Sequence, residues 1–200
     1  MSLLDIIANI GNKAPMEDSA DVVPAKYLRY IISGDSCRIV PSTNNNPKPS
    51  VEDLSKIRKV ILEGVMPMSC NDLCKDMVRL EAVEYASNFS ARFVRSLHSA
   101  FANCMSIIYL DLTKWEKEDY QPHFVNLNSM FSNCQSLIEV MMGNWKMHRV
   151  AETCNMFSRC YSLQVLDCSK WKFYSLRDAR QMFAYCEALS RLQIQDWGMH

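Results

Sequence analysis

Apolar and polar positions along this chain fall into a pattern that returns. Val150, Thr153, Met156, Phe157 and Cys160 sit at the i, i+3, i+4, i+7 spacing of a short helix buried on one side, and Leu176, Ala179, Met182, Phe183 and Cys186 repeat it. Downstream of each stripe, Leu163, Val165, Leu166 and Cys168, or Leu189, Leu192 and Ile194, suit a short strand with alternate residues facing inward. The pattern predicts helix, turn, strand, turn in every unit.

All four tryptophans stand the same distance behind a phenylalanine and a cysteine: Phe101/Cys104/Trp115, Phe131/Cys134/Trp145, Phe157/Cys160/Trp171 and Phe183/Cys186/Trp197. The last three copies are 26 residues apart and the first two 30, the extra residues falling in the polar stretch from Glu116 to His123. Periods of this size signal a solenoid, whose units bury their apolar faces against their neighbours. The expected fold is an α/β solenoid, leucine-rich-repeat-like: a right-handed coil with a parallel sheet on one face and short helices on the other.

The segments from Ala100, Met130, Met156 and Met182 align without gaps as "MF..C.SL..L....W". That string resembles the leucine-rich-repeat variant of BspA-like surface proteins and the related repeats of mycoplasma lipoproteins. The resemblance is strong from Ala100 to Trp197 and extends weakly upstream through Cys74, Met77, Leu80, Val83 and Tyr85, then Ile57, Val60 and Leu62. It implies a solenoid used for adhesion or protein recognition, with no conserved chemistry to transfer. Exported members carry a signal that this sequence lacks.

Ahead of the repeats, Leu3 to Ile10 reads as a short amphipathic helix, interrupted as a signal peptide by Asp5, and Ala14 to Val23 as an acidic linker. Tyr27 to Ile32 and Cys37 to Val40 read as strands around the turn residues Ser33-Gly34-Asp35-Ser36, a hairpin suited to cap the first coil. Ser42 to Ser50 is a surface loop, and Ser50 with Asp53 resembles a capping box opening a helix through Lys56. The organisation is thus residues 1–50 as helix, capping hairpin and linker, and residues 51–200 as solenoid, degenerate over 51–99 and clear over 100–200.

Composition narrows the function. In 200 residues, 22 basic and 22 acidic side chains cancel, so there is no general nucleic-acid footprint. No run of about 18 apolar residues spans a membrane. Four of the nine cysteines occupy one position of the buried stripe, where free thiols behave as small hydrophobes. Buried free thiols and the missing signal predict a cytoplasmic protein, with a surface or virion location by another route as the alternative. Cys70 and Cys74 have zinc-ligand spacing but no second pair, and the four histidines occupy unrelated repeat positions, so no metal is expected. No phosphate-cradling glycine loop, nucleophile elbow or carboxylate pair appears. Cys104 with His98 is the nearest approach to a Cys/His pair, but Cys104 belongs to the structural set. The expectation is a protein without catalysis or cofactor.

Trp115, Trp145 and Trp171 hold one repeat position, which favours core over a carbohydrate platform. Recognition then falls to the outward residues of the strands. With Leu110/Leu112, Val140/Met142, Leu166/Cys168 and Leu192/Ile194 inward, the candidate partner-binding residues are Glu84, Tyr109, Asp111, Glu139, Met141, Asp167, Arg191 and Gln193. Glu84, Asp111, Met141 and Asp167 form a central row, mildly acidic with an apolar interruption, beside a strip of Lys114, Lys117, Lys146, Lys170 and Lys172. This predicts a protein partner, with two alternatives: a structural subunit of a virion or surface layer, or a carbohydrate-binding adhesin. Leu189, Leu192, Ile194 and Trp197 lack a following coil, which predicts self-association through the C-terminal end of the solenoid.

Overall fold

A computed structural model describes residues 25–116 and 123–194, the last two without their side chains. The expected helix over residues 3–10, the linker over 14–23, Lys117 and Trp197 lie outside the described residues. The described strands are β1 (Tyr27–Ser33), β2 (Ser36–Ser42), β3 (Lys59–Leu62), β4 (Ala82–Tyr85), β5 (Tyr109–Asp111), β6 (Glu139–Met141), β7 (Val165–Cys168) and β8 (Arg191–Ile194). One single-turn helix, α1 (Val51–Leu54), precedes β3.

β1 and β2 form the expected hairpin, with Ser33 opposite Ser36 and Gly34 at φ +62° closing a turn that needs left-handed backbone. From β2 onward every pairing is parallel, in two four-stranded sheets, β1-β2-β3-β4 and β5-β6-β7-β8. One strand per coil from β2 to β8 makes a β-solenoid of about seven turns. Ser50 caps α1 as its spacing predicts, its Oγ accepting from the Asp53 N–H at 3.1 Å.

The second face departs from expectation: among the described residues the repeated apolar stripes form no α-helix. In the coil of Phe101, Ala100 and Cys104 donate only three residues back, to Leu97 and Phe101 at 3.0 and 3.2 Å. Ala102 does the same, to Ser99 at 3.1 Å, while the alternate N–H groups leave the coil. Leu97, Ser99, Phe101 and Asn103 donate to the carbonyls of Asn126, Asn128, Met130 and Ser132 at 2.8–3.0 Å. An α-helix would commit those donors to carbonyls four residues back. Positive φ at Ser99 (54°) and Asn103 (63°), repeated at Ser129 and Asn133, Asn155 and Arg159, and Gln181 and Tyr185, also takes the backbone out of the helical region.

Alternate peptide groups therefore lie along the solenoid axis, each accepting from the coil before and donating to the coil after. One column runs from Cys74 N–H to Ala100 O, Phe101 N–H to Met130 O, Phe131 N–H to Met156 O, and Phe157 N–H to Met182 O. At its first end the hairpin supplies a donor: the Tyr30 hydroxyl bonds Leu73 O at 2.9 Å, and Lys48 Nζ reaches the nearby Asp72 O at 2.6 Å. Burial pushes the Tyr30 phenol well above its ordinary pKa, so it stays a donor.

The side chains stack in the same columns. Phe101, Phe131, Phe157 and Phe183 stack with centroids 5.9, 4.9 and 5.7 Å apart. Trp115, Trp145 and Trp171 are core, 0%, 1% and 2% exposed. All nine cysteines are free thiols. Those of Cys134, Cys160 and Cys186 each donate at 3.1 Å to the Phe carbonyl of the preceding coil, while Cys104 donates to Cys74 O at 3.2 Å. A buried backbone acceptor thus gains a partner and the sulfur fills the corner. Burial pushes the Cys134 thiol up to about 12, which makes it inert near neutrality.

Candidate recognition surface

The outward face of the second sheet is set by the two-residue alternation of its strands. Leu110, Leu112, Val140, Met142, Leu166 and Cys168 are buried. Tyr109, Asp111, Glu139, Met141, Asp167 and Arg191 point out and are exposed; the side chain of Gln193 lies outside the described residues. Pairing puts Tyr109 beside Glu139 and Asp111 beside Met141, then Glu139 beside Val165 and Asp167 beside Gln193.

Glu84 stands apart from this group. Its strand, β4, belongs to the first sheet, and its carboxylate is paired with Lys59 Nζ at 2.7 Å. At the strands themselves a side chain bridges β4 and β5: the Tyr85 hydroxyl donates to Asp111 O at 2.6 Å and accepts from Trp115 Nε1 at 3.1 Å.

Within the second sheet the coils are not alike. Asp111 Oδ1 accepts from the N–H and hydroxyl of Thr113 at 2.8 and 2.7 Å. Two coils on, Asp167 Oδ1 accepts from the Ser169 N–H at 2.9 Å, and the Ser169 hydroxyl and N–H hold its carboxyl below the usual range. In both coils an aspartate closes the turn that ends the strand. The coil between has Met141 and Gly143 in those places. It turns through Gly143 at φ +62° instead, and a Cβ there would meet Glu116 Oε2 at 3.1 Å.

The sheet opens at the same coil. β5 and β6 share three register pairs and β7 and β8 share four, while β6 and β7 share only Glu139 with Val165. The gap is a depression of about 340 Å³ lined by Thr113, Glu139, Met141, Gly143, Asp167 and Lys170, among others. Met141 is 47% exposed at its rim. Lys170 Nζ bonds Asn144 Oδ1 at 2.6 Å, whereas the Glu139 carboxylate takes no hydrogen bond from a described residue. Sequence reasoning named Glu139, Met141 and Asp167, and the structure brings them together. It missed Gly143 and Lys170 as members of one site; the signal was the break of the Asp-x-Ser/Thr spacing at Met141-Met142-Gly143. Among the described residues no group of three or more His, Cys, Asp or Glu is arranged to hold a metal ion, and no helix is long and apolar enough to cross a membrane.

Coils stacked through peptide columns, with a sheet face free on one side, define the class: a β-solenoid repeat protein. Residues 82–200, more than half of the chain, match the family described as Mycoplasma protein of unknown function, DUF285, and the chain belongs to that family. No curated protein and no solved structure matches it significantly.

Proposed function

We propose that the chain is a non-catalytic recognition module, kin to the BspA-like leucine-rich repeats, that binds a protein partner through the exposed face of its second sheet. The observation that supports this is the irregular coil. A repeat that keeps aspartate at its strand end on either side gives it up at Met141 and Gly143, and so exposes an apolar side chain between two carboxylates above a depression. Charge around an apolar centre orients a partner, and the buried apolar contact supplies affinity.

A photo-reactive residue at position 141 tests the reading in lysate of the source cell, with the same residue at exposed Arg159 as control. The expected result is a discrete adduct from position 141 alone, with the isolated partner bound at least about tenfold more weakly by Met141→Glu, a loss of about 1.4 kcal/mol. Equal labelling from both positions, or none, overturns it.

Self-association as a structural subunit draws on a different observation. In the last described coil the N–H groups of Ala179, Gln181, Phe183 and Tyr185 continue the four peptide columns but meet no acceptor among the described residues. Two such ends face to face oppose N–H with N–H, so a second copy must bring a row of carbonyls. Leu192→Glu is expected to lower concentration-dependent association in sedimentation; a strict monomer before substitution removes this reading. A glycan platform has less support, since the three described indoles are core.

A further inference from the structure

Another part of the coil gathers cations that no described carboxylate neutralises. Val125 N–H donates to Arg95 O, Ala151 N–H to Val125 O and Arg177 N–H to Ala151 O, each at 2.8 Å, so Arg95, Val125, Ala151 and Arg177 stack in one column. Two residues earlier the same register aligns Arg149 with Ser175. Between these columns Phe124 and Val150 are buried, so both columns face outward. They enclose a groove of about 560 Å³ lined by Val125, His148, Arg149, Ala151, Ser175 and Arg177. Its floor is small because Ala151 and Ser175 stand where the neighbouring coils place arginines.

Among the described residues, the acids next to these columns, Glu152 and Asp178, are already engaged. Glu152 Oε2 accepts from Asn126 Nδ2 and Asn128 Nδ2, both at 2.7 Å, and Asp178 pairs with Arg180 Nη2 at 2.8 Å. Arg149 and Arg177 are exposed and make no ion pair among the described residues. The His148 ring is held edge-on by His123, centroids 4.2 Å apart.

We infer that this groove is an oxyanion site for a phosphate-bearing ligand, held between the guanidiniums of Arg149 and Arg177 with the Ser175 hydroxyl and His148 beneath. Guanidinium forks match phosphate oxygens in pairs, and the several free oxygens of a tetrahedral phosphate let it accept from two walls and a floor at once. The groove is larger than one phosphate group, which leaves room for the group that carries it. The site uses none of the residues of the Glu139 depression, so it stands or falls separately.

Titration calorimetry with inorganic pyrophosphate and flotation with vesicles of phosphatidylcholine containing phosphatidate test the inference and separate its two sources. Binding in solution alone assigns a soluble phosphate, and binding to vesicles alone a lipid headgroup. In either case Arg149→Gln and Arg177→Gln should each weaken binding about tenfold or more. Arg149→Lys, which keeps the charge and loses the fork, should fall between, and Arg159→Gln should change nothing. Unchanged melting temperatures will show the variants folded, as expected for exposed side chains. Binding of neither probe, binding indifferent to Arg149 and Arg177, or equal binding of a poly-glutamate of matched charge overturns the assignment.

Discussion

The coil around Phe157 and the coil around Phe183 follow the same sequence pattern, yet their aromatic rings end in different environments. Phe157 is wholly buried, stacked between Phe131 and Phe183, and its N–H is bonded to Met182 O. Phe183 is half-buried, and among the described residues it stacks on Phe157 alone and its N–H meets no acceptor. Cys160 is buried and Cys186 half-buried for the same reason. Identical residues at identical repeat positions thus differ by what stands next to them. In a solenoid the stability of a coil resides largely in its interfaces with its neighbours, and for the Phe183 coil one such interface lies among the described residues.

The sharpest way to break that comparison is to truncate both rings. Phe157→Ala should cost about 3–5 kcal/mol, because two neighbouring coils hold the cavity open. Phe183→Ala should cost only about 1–2 kcal/mol, the scale of partial apolar burial. Denaturant midpoints for the two variants check this, and equal losses would mean that the last coil is as well covered as the interior.

Gly143→Ala sharpens it from within the interior. The substitution forces a side chain onto left-handed backbone and against the Glu116 carboxylate, and should cost about 1–2 kcal/mol by thermal melting. Thr113→Ala, at the equivalent position of the preceding coil, removes a hydroxyl donor to Asp111 and should cost less.

Thiol chemistry resolves the same gradient without substitution. Cys154 and Cys186, both half-buried, should be alkylated first, and Cys134 and Cys160 only on unfolding. Burial raises Cys186 to about 11, so its labelling should quicken as pH rises, while Cys134, raised to about 12 and fully buried, stays unlabelled until the chain unfolds. Simultaneous labelling of all four would remove the gradient.

The smallest expected effect lies at Asp178, held down to about 2 by hydrogen bonds from Arg180. A carboxyl with a lowered folded-state pKa stabilises above its unfolded pKa, near 4, and loses that contribution as pH falls toward 2. Asp178→Asn should therefore lower the melting temperature slightly at pH 7 and by much less at pH 2.

Much of this architecture was legible in the chain. The recurrence of Phe, Cys and Trp required stacked units, and the alternation around Leu110, Val140 and Leu166 placed the outward residues correctly. The Gly34 turn and the Ser50 cap followed from local backbone chemistry. The helices did not survive because apolar residues about three apart, as at Leu97, Ala100, Cys104 and Ile107, suit two backbones. One is a helix; the other is a chain of three-residue turns that sends alternate N–H groups to the next coil. Asn103, Asn133 and Asn155, at positions where φ is positive, were the residues that told them apart, since asparagine tolerates left-handed backbone better than most. The depression at Met141 was only half legible: its outward residues could be named, but the loss of strand pairing between β6 and β7 depends on three coils at once.

The axial peptide columns carry the whole account, and amide hydrogen exchange reads them one by one. The N–H groups of Phe101, Phe131 and Phe157 should exchange slowly, with protection approaching that of global unfolding, while those of Gln181, Phe183 and Tyr185 exchange orders of magnitude faster. Helical segments would instead protect consecutive amides within each stripe, and protection of Phe183 equal to that of Phe157 would contradict the columns as described.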